Sequence, residues 1–181
     1  VLTGNATIAL SKYGLSKAEA DYVSKQIKAE EHTINVNQYS RRVLIYIAAD
    51  KKDENLTLEA FRKEGNKAGK VFNAAKAEQV TLVDLLGNGL QTLAFAEGMA
   101  LGNYQYLQFK KDAKKLANSL KAIHIQSKKV SAAEVQRLQI VVDATEKART
   151  LVNRPVNDLN AVQLAKEFEK LGKEAGFKVE I

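Results

Sequence analysis

The sequence predicts an α/β fold in which a buried sheet is flanked by helices. Two apolar, β-branched runs, Arg42–Ile47 and Val80–Leu85, are typical of strands covered on both faces. Between them, Leu58–Ala75 places apolar residues at helical spacing, so strands and helices alternate along the chain. Capping boxes at Ser16-Lys-Ala-Glu19 and Ser131-Ala-Ala-Glu134 indicate where two further helices begin.

The remaining elements of the first half follow from the same periodicities. The first capping box opens a helix that ends near Glu30, and a short alternating strand, Ile34–Val36, comes next. Gly65 and Gly69 lie on or near the apolar stripe of the helix at residues 58–75. Small residues at these positions predict that this helix approaches the sheet closely.

After the second apolar strand, Gly87-Asn88-Gly89 turns the chain into a helix over Leu90–Leu101. Lys121–Ile125 is predicted to be a further strand. A long uninterrupted helix then runs from Ser131 to Val152 and ends ahead of Pro155, which is the one proline in the sequence.

The last thirty residues are predicted to hold a helix and the start of a strand. The helix begins at Asn160 and ends at Gly176, and Phe177–Ile181 follows as a strand. Three apolar side chains of the helix are expected to face inward: Leu164, Phe168 and Leu171. A strand at the end of the chain, after a proline break, resembles the opening of another domain. We therefore predict a complete domain over residues 1–130, a connecting helix over 131–152 and a truncated domain over 153–181.

Composition excludes several kinds of site. The chain has 181 residues, no cysteine and two histidines, His32 and His124, so disulfides, thiolate zinc sites and histidine-rich metal sites are excluded. No apolar run approaches the ~20 residues that span a bilayer, which argues against a membrane protein. The first five residues contain no basic region followed by an apolar stretch, so no signal peptide is predicted. The expected location is cytoplasmic.

The residues themselves predict no active site. Gly87-x-Gly89 lies where a phosphate-binding turn would lie, but Thr92 stands where a dinucleotide loop needs a third small residue. Neither histidine belongs to a nucleophile–histidine–acid pattern. The acidic pairs Glu30-Glu31 and Asp53-Glu54 are adjacent in sequence, and we interpret them as solvated turns.

The positive charge is concentrated in one stretch. The formal net charge is +7, and residues 108–129 contain seven lysines against a single acid, Asp112. A lysine cluster can hold a phosphate backbone, although a solvated surface is the simpler interpretation. The candidate nucleic-acid contacts are Lys110, Lys111, Lys114 and Lys115.

Two stretches of the sequence are specific enough to suggest a family. The first is Lys147-Ala-Arg-Thr-Leu-Val-Asn-Arg-Pro-Val-Asn157, and the second is Glu97-Gly98-Met-Ala-Leu101-Gly102-Asn-Tyr104-Gln-Tyr106 with Phe109-Lys110. Both resemble the cytosolic leucyl aminopeptidases, the two-metal M17-type peptidases. The first is similar to the segment that joins the two domains of that family, and the second is similar to a signature late in its N-terminal domain. The residues carried over to the domain-junction motif are Arg149, Asn153, Pro155 and Asn157.

The resemblance implies a macro-like N-terminal domain, a linker helix and the first part of a catalytic domain. The parent enzyme would be a hexamer that removes leucine-like N-terminal residues from peptides with two divalent metals, zinc or manganese. Its lysine and carboxylate ligands lie in the larger C-terminal domain, so no catalytic, cofactor-binding or metal residue is carried over to this chain. The implied roles of the chain itself are assembly and control of substrate access, with its own catalytic domain and the sister subunits as partners.

Two other readings stay open. The first is a nucleic-acid-binding module that uses the lysine stretch between Lys110 and Lys129. The second is a free-standing macro-like binder of ADP-ribose or a related nucleotide, for which the glycine turn at Gly87 would be the site.

Overall fold

The computed structural model describes residues 1–3, 10–48 and 53–181. Its elements follow the predicted alternation, with three additional short elements: a strand at Leu2–Thr3, a 3-10 turn at Leu10–Tyr13 and a helix at Ala113–Leu116. In chain order they are β1 (Leu2–Thr3), α1 (Lys17–Lys28), β2 (Thr33–Gln38), β3 (Arg41–Ile47), α2 (Glu54–Ala74), β4 (Gln79–Val83), α3 (Gly89–Asn103), α4 (Ala113–Leu116), β5 (Ala122–Gln126), α5 (Ala132–Asn153) and α6 (Ala161–Ala175). Two compact units, Val1–Ile140 and Val141–Ile181, are distinguished, and α5 contributes residues to both. The predicted boundaries at residues 130 and 152 stay predictions.

The strands of the first unit form a small mixed sheet. β3 lies between β1, to which it is parallel, and β2, to which it is antiparallel, while β4 and β5 form a parallel pair. A parallel bridge between Leu2 and Asp84 joins the two groups, and the N–H of Leu85 donates to the carbonyl of Leu2 at 2.9 Å. The strand order is therefore β2-β3-β1-β4-β5, which confirms the α/β prediction.

β3 is covered on both faces, as its apolar sequence predicts. On one side, the ring of Tyr46 packs edge-on against Phe61 at 5.3 Å and is tilted against Phe95 at 5.7 Å. These two phenylalanines belong to α2 and α3 and are 0% and 2% exposed. On the other side, Val23 of α1 and Ile45 of β3 belong to a second, smaller core. Burial of these apolar side chains is what holds the helices to the sheet.

The glycines of α2 lie against another helix. A Cβ added to Gly65 would lie 2.0 Å from the carbonyl oxygen of Phe95 in α3, and one added to Gly98 would lie 1.9 Å from that of Arg62 in α2. Arg62 Nε also donates to Glu97 Oε2 at 2.6 Å across the same crossing. The prediction that these small residues bring α2 close to the sheet is therefore wrong. They allow the backbones of α2 and α3 to approach each other.

α2 begins four residues before the predicted start at Leu58. Asp53 is its N-cap, and the side-chain Oδ1 accepts from the N–H of Leu56 at 3.0 Å. Because a capping carboxylate satisfies an N–H that the helix leaves free, the first turn forms at Glu54. The interpretation of Asp53-Glu54 as a solvated turn is therefore wrong, since the pair starts the helix.

In the second unit, the predicted caps of α6 are confirmed. Asn160 and Gln163 form a reciprocal capping box, and Gly176 ends the helix with a φ of 82°. Two expectations fail here. Phe168 is 47% exposed although it was expected to face inward. Phe177–Ile181 pairs with no strand in the described part of the chain, because an apolar pattern forms a strand only where a sheet edge is available to it.

Candidate functional site

The predicted domain-junction segment is held by Arg154, which is not one of the four residues carried over from the family motif. Arg154 Nε donates to Asp158 Oδ2 at 2.6 Å, and its Nη1 donates to Glu167 Oε1 at 2.7 Å. The Nη2 donates to the backbone carbonyl of Asp158 at 3.0 Å. One side chain, 16% exposed, thus ties the turn after α5 to α6. We call Arg154, Asp158 and Glu167 the arginine clamp.

Charge and hydrogen bonding reinforce this turn. The hydrogen bonds to Asp158 and then to Glu167 raise the pKa of Arg154 further above its already high value. Lys147 Nζ donates to Glu174 Oε2 at 2.9 Å and makes a second link between α5 and α6. That bond raises the pKa of Lys147 and lowers the pKa of Glu174. Both partners are about half exposed, so this link is weaker than the clamp.

The four carried-over junction residues follow one another from α5 into the turn. Arg149 is half-buried on α5, whereas Asn153, Pro155 and Asn157 are exposed. The carbonyl of Pro155 accepts from the N–H groups of Asp158 and Leu159, both at 2.9 Å, and so closes the turn. Arg154 and Asp158 carry opposite charges and lie in the same short turn, and this was the signal in the sequence that could have indicated their contact.

The four candidate nucleic-acid contacts lie around α4, and all are exposed. Lys115 Nζ lies 3.9 Å from Asp112 Oδ1, and the two side chains are 85% and 62% exposed. Phe109 stands beside them and is 58% exposed. The arrangement offers positive charge and one aromatic face to solvent.

In the glycine turn, two backbone N–H groups are already bonded to the side chain of Asp84. Asp84 Oδ1 accepts from the N–H of Leu86 at 2.9 Å and from that of Gly87 at 3.0 Å. Its Oδ2 accepts from the hydroxyl of Ser127 at 2.6 Å. A phosphate bound here would need those same N–H donors, so the geometry favours a conformational turn over a nucleotide site.

The described residues offer neither a metal-binding group nor a membrane-spanning helix. Over residues 1–3, 10–48 and 53–181, no three histidine, aspartate or glutamate side chains are grouped as metal ligands, so these residues do not fit a two-metal centre. His32 and His124 are exposed. Among the described helices, none is both long and apolar enough to cross a bilayer.

No protein-family model matches the chain, but individual proteins do. A probable cytosol aminopeptidase of Clostridium perfringens is 30% identical over 141 residues, which cover 72% of this chain and 28% of that protein. One from Mycobacterium ulcerans is 29% identical over 176 residues, which cover 96% of this chain and 33% of that protein. The chain spans about a third of the length of the curated relatives it matches.

Solved structures agree in fold. A mutant of tomato leucine aminopeptidase matches 97% of this chain and 38% of its own, with a TM-score of 0.69 and 16% identity. The bottromycin maturation enzyme in complex with manganese matches 97% of this chain and 35% of its own, with a TM-score of 0.62 and 20% identity. The resemblance predicted from the two motifs is confirmed: the chain is related to the cytosol aminopeptidases and resembles the N-terminal domain of a leucyl aminopeptidase.

Proposed function

We propose that this chain is the non-catalytic N-terminal part of a metal-dependent aminopeptidase and acts in its assembly and in control of substrate access. The observation that supports this is the extent of the match: nearly the whole chain aligns, but with only a third of an aminopeptidase. The catalytic chemistry, the peptide substrates and the two divalent metals, zinc or manganese, would then belong to the remaining two thirds. The manganese in the bottromycin maturation enzyme supports that choice of metal.

The assembly role is supported by apolar side chains that the second unit leaves exposed. Seven large ones are 47% to 85% exposed. They are Val141, Val152, Val156, Val162, Phe168, Phe177 and Ile181. Exposed apolar groups that recur in one short segment are typical of a surface covered by another domain or subunit. The proposed partners are the catalytic domain and the sister subunits of a cytoplasmic hexamer.

α5 supports the role in substrate access. It has 22 residues, which at 1.5 Å per residue gives a rod of about 33 Å. Its N-terminus is fixed by a capping box, in which the Ser131 N–H donates to Glu134 Oε2 at 2.8 Å. The same bond lowers the pKa of Glu134. A capped helix of this length would keep a domain at a set distance from a catalytic site.

The direct test is to sequence the coding DNA beyond Ile181 and to assay the longer product on leucyl-p-nitroanilide with manganese. We expect an open frame that continues into a domain rich in lysine and carboxylates, hydrolysis by the longer product, and none by residues 1–181. A stop codon after Ile181, or hydrolysis by the short chain, would contradict the proposal.

The junction motif gives a second prediction. Asn157 is exposed in this chain, and we expect it to satisfy backbone groups of the catalytic part. Asn157→Ala should leave the melting temperature of residues 1–181 unchanged but destabilise the longer product by about 1 kcal/mol. Asn37→Ala, also at an exposed asparagine, is the matched control. Equal melting curves for the longer product and its Asn157→Ala variant would argue against this role.

A nucleic-acid role is kept as the second candidate, because four exposed lysines adjoin an exposed aromatic ring. Substituting all four by glutamate should abolish retardation of a DNA duplex, and binding by the parent chain should weaken steeply with salt. The four are Lys110, Lys111, Lys114 and Lys115. A control with the same charge change reverses four exposed lysines elsewhere: Lys17, Lys70, Lys166 and Lys170. Equal loss in both variants would indicate net charge alone and would contradict a site at α4.

A further inference from the structure

A large cleft opens in the sheet where β1 is short. It has a volume of about 710 Å³ and is lined along its two long sides by residues of β3 and of β4. β3 has seven residues and β4 has five, whereas the strand between them, β1, has two. The cleft therefore occupies the place in the sheet that a longer β1 would fill.

The β3 edge of the cleft presents backbone groups in the order that a parallel strand needs. The N–H of Tyr46 donates to the carbonyl of Val1 at 2.9 Å, and the nitrogen of Val1 donates to the carbonyl of Leu44 at 2.7 Å. In a sheet, alternate residues of a strand bond to the same neighbour, and the intervening residues of β3 bond to β2. The next groups on the β1 side are thus the N–H of Leu44 and the carbonyl of Arg42.

The β4 edge is complementary. The N–H of Leu85 donates to Leu2, and the alternate residues of β4 bond to β5. Because residues of β4 bond alternately to β5 and to the β1 side, the N–H of Val83 and the carbonyl of Thr81 face the cleft. Donors and acceptors therefore lie on both long sides, as in the centre of a parallel sheet.

The two faces of the cleft differ in character. Behind the sheet, the lining is apolar and comes from α2 and α3: Ala68, Phe72, Phe95 and Met99. Leu82 and Val80 of β4 point to this same core. In front, the lining includes Lys12 and Arg41, and also Val1, Tyr13 and Val43, which pack partly buried against the second, smaller core. A strand inserted here would place alternate side chains in the larger apolar core and the others against this mixed front surface.

Val1, the residue immediately before β1, lines this cleft. Burial lowers the pKa of its amino group to about 5. A peptide N–H at the same position would keep the bond to Leu44 and would carry no charge to bury.

We propose that the cleft is an acceptor site for an extended segment of this protein's own polypeptide, joined to the nitrogen of Val1 and parallel to both β3 and β4. The register sets its length. Leu2 lies opposite Asp84, so Val1 lies opposite Val83, and four further residues lie opposite Leu82 down to Gln79. The first and third residues before Val1 face the apolar core, as Leu2 does, and are apolar. The second and fourth face the mixed front surface, on the same side as Val1.

The test adds four residues to the N-terminus of the 181-residue chain. A Thr-Ile-Thr-Val extension places apolar residues at the first and third positions before Val1. An Ile-Thr-Val-Thr extension has the same composition but the opposite pattern, and a Gly-Ser-Gly-Ser extension removes the buried amine without forming a strand. Melting temperature and amide hydrogen exchange are compared for monomers separated by size-exclusion chromatography.

We expect the first extension to raise the melting temperature by about 4 °C over the glycine–serine form. Exchange of the Leu44 and Val83 amides should slow roughly tenfold, because both N–H groups gain partners. An equal gain from the opposite pattern, no gain from either, or protection confined to dimers would overturn the proposal. The codons before Val1 give an independent check: proline or a charged residue at the first or third position would also overturn it. Neither melting temperature nor hydrogen exchange depends on peptidase activity. A failure of this proposal can therefore be distinguished from a failure of the proposed function, which is tested by hydrolysis.

Discussion

Gly98→Ala is expected to destabilise the first unit by about 3 kcal/mol or more. The new methyl group would lie 1.9 Å from the carbonyl oxygen of Arg62 and 2.5 Å from its carbonyl carbon and its Cα. All three are backbone atoms of α2, so no side chain can rotate away to make room. α2 and α3 would have to separate, and their apolar contacts with Tyr46 in the sheet would loosen.

The matched control is Gly69→Ala, which makes the same change at the same helix pair. A Cβ at Gly69 would first meet the Cγ of Met99, at 3.2 Å. A methionine side chain can shift by a few tenths of an ångström, and alanine is favoured over glycine in a helix by about 1 kcal/mol. Gly69→Ala should therefore be close to neutral.

Urea unfolding of the 181-residue chain measures both changes. Gly98→Ala should lower the unfolding midpoint strongly with little change in slope, and Gly65→Ala should behave alike, because its Cβ would lie 2.0 Å from Phe95 O. If Gly98→Ala unfolds at the same midpoint as Gly69→Ala, the two helices are not held at backbone contact.

This helix pair also shows what sequence periodicity can and cannot predict. The apolar spacing within 58–75 predicted a helix, and its glycines predicted that this helix approaches a neighbouring element closely. The predicted neighbour was the sheet, whereas the structure has α3 there. Periodicity depends on local geometry along one element, whereas the identity of the neighbour depends on how distant segments pack. Nothing in the sequence around Gly98 distinguishes a glycine required for helix packing from one that provides backbone flexibility.

The same limit applies at the junction. Capping boxes were predictable because the bonding groups are three residues apart and belong to a single turn. The contact of Arg154 with Glu167 spans thirteen residues and joins the turn after α5 to α6, so it depends on how α6 packs and not on local spacing. The strand expected at residues 177–181 failed for a related reason: its pattern is local, but its hydrogen bonds need a partner edge.

Arg154→Ala is expected to open the turn between α5 and α6. The variant removes three hydrogen bonds at once and leaves the carboxylates of Asp158 and Glu167, each 29% exposed, without their shared cation. We expect amide exchange over residues 158–164 to speed up roughly tenfold or more, and protease cleavage near Pro155 to follow. The first unit, which contains none of these contacts, should exchange at its original rate.

Two comparisons distinguish the clamp from a general effect of charge. Arg154→Lys keeps the charge but cannot donate to both carboxylates and to the carbonyl of Asp158 with one planar group, so it should restore only part of the protection. Lys147→Ala removes an exposed ion pair between the same two helices and should change exchange little. If Arg154→Lys matches the parent chain, charge rather than geometry holds the turn. If Lys147→Ala opens the hairpin as much as Arg154→Ala, the clamp has no special part, and any contact between α5 and α6 would serve to fix the junction.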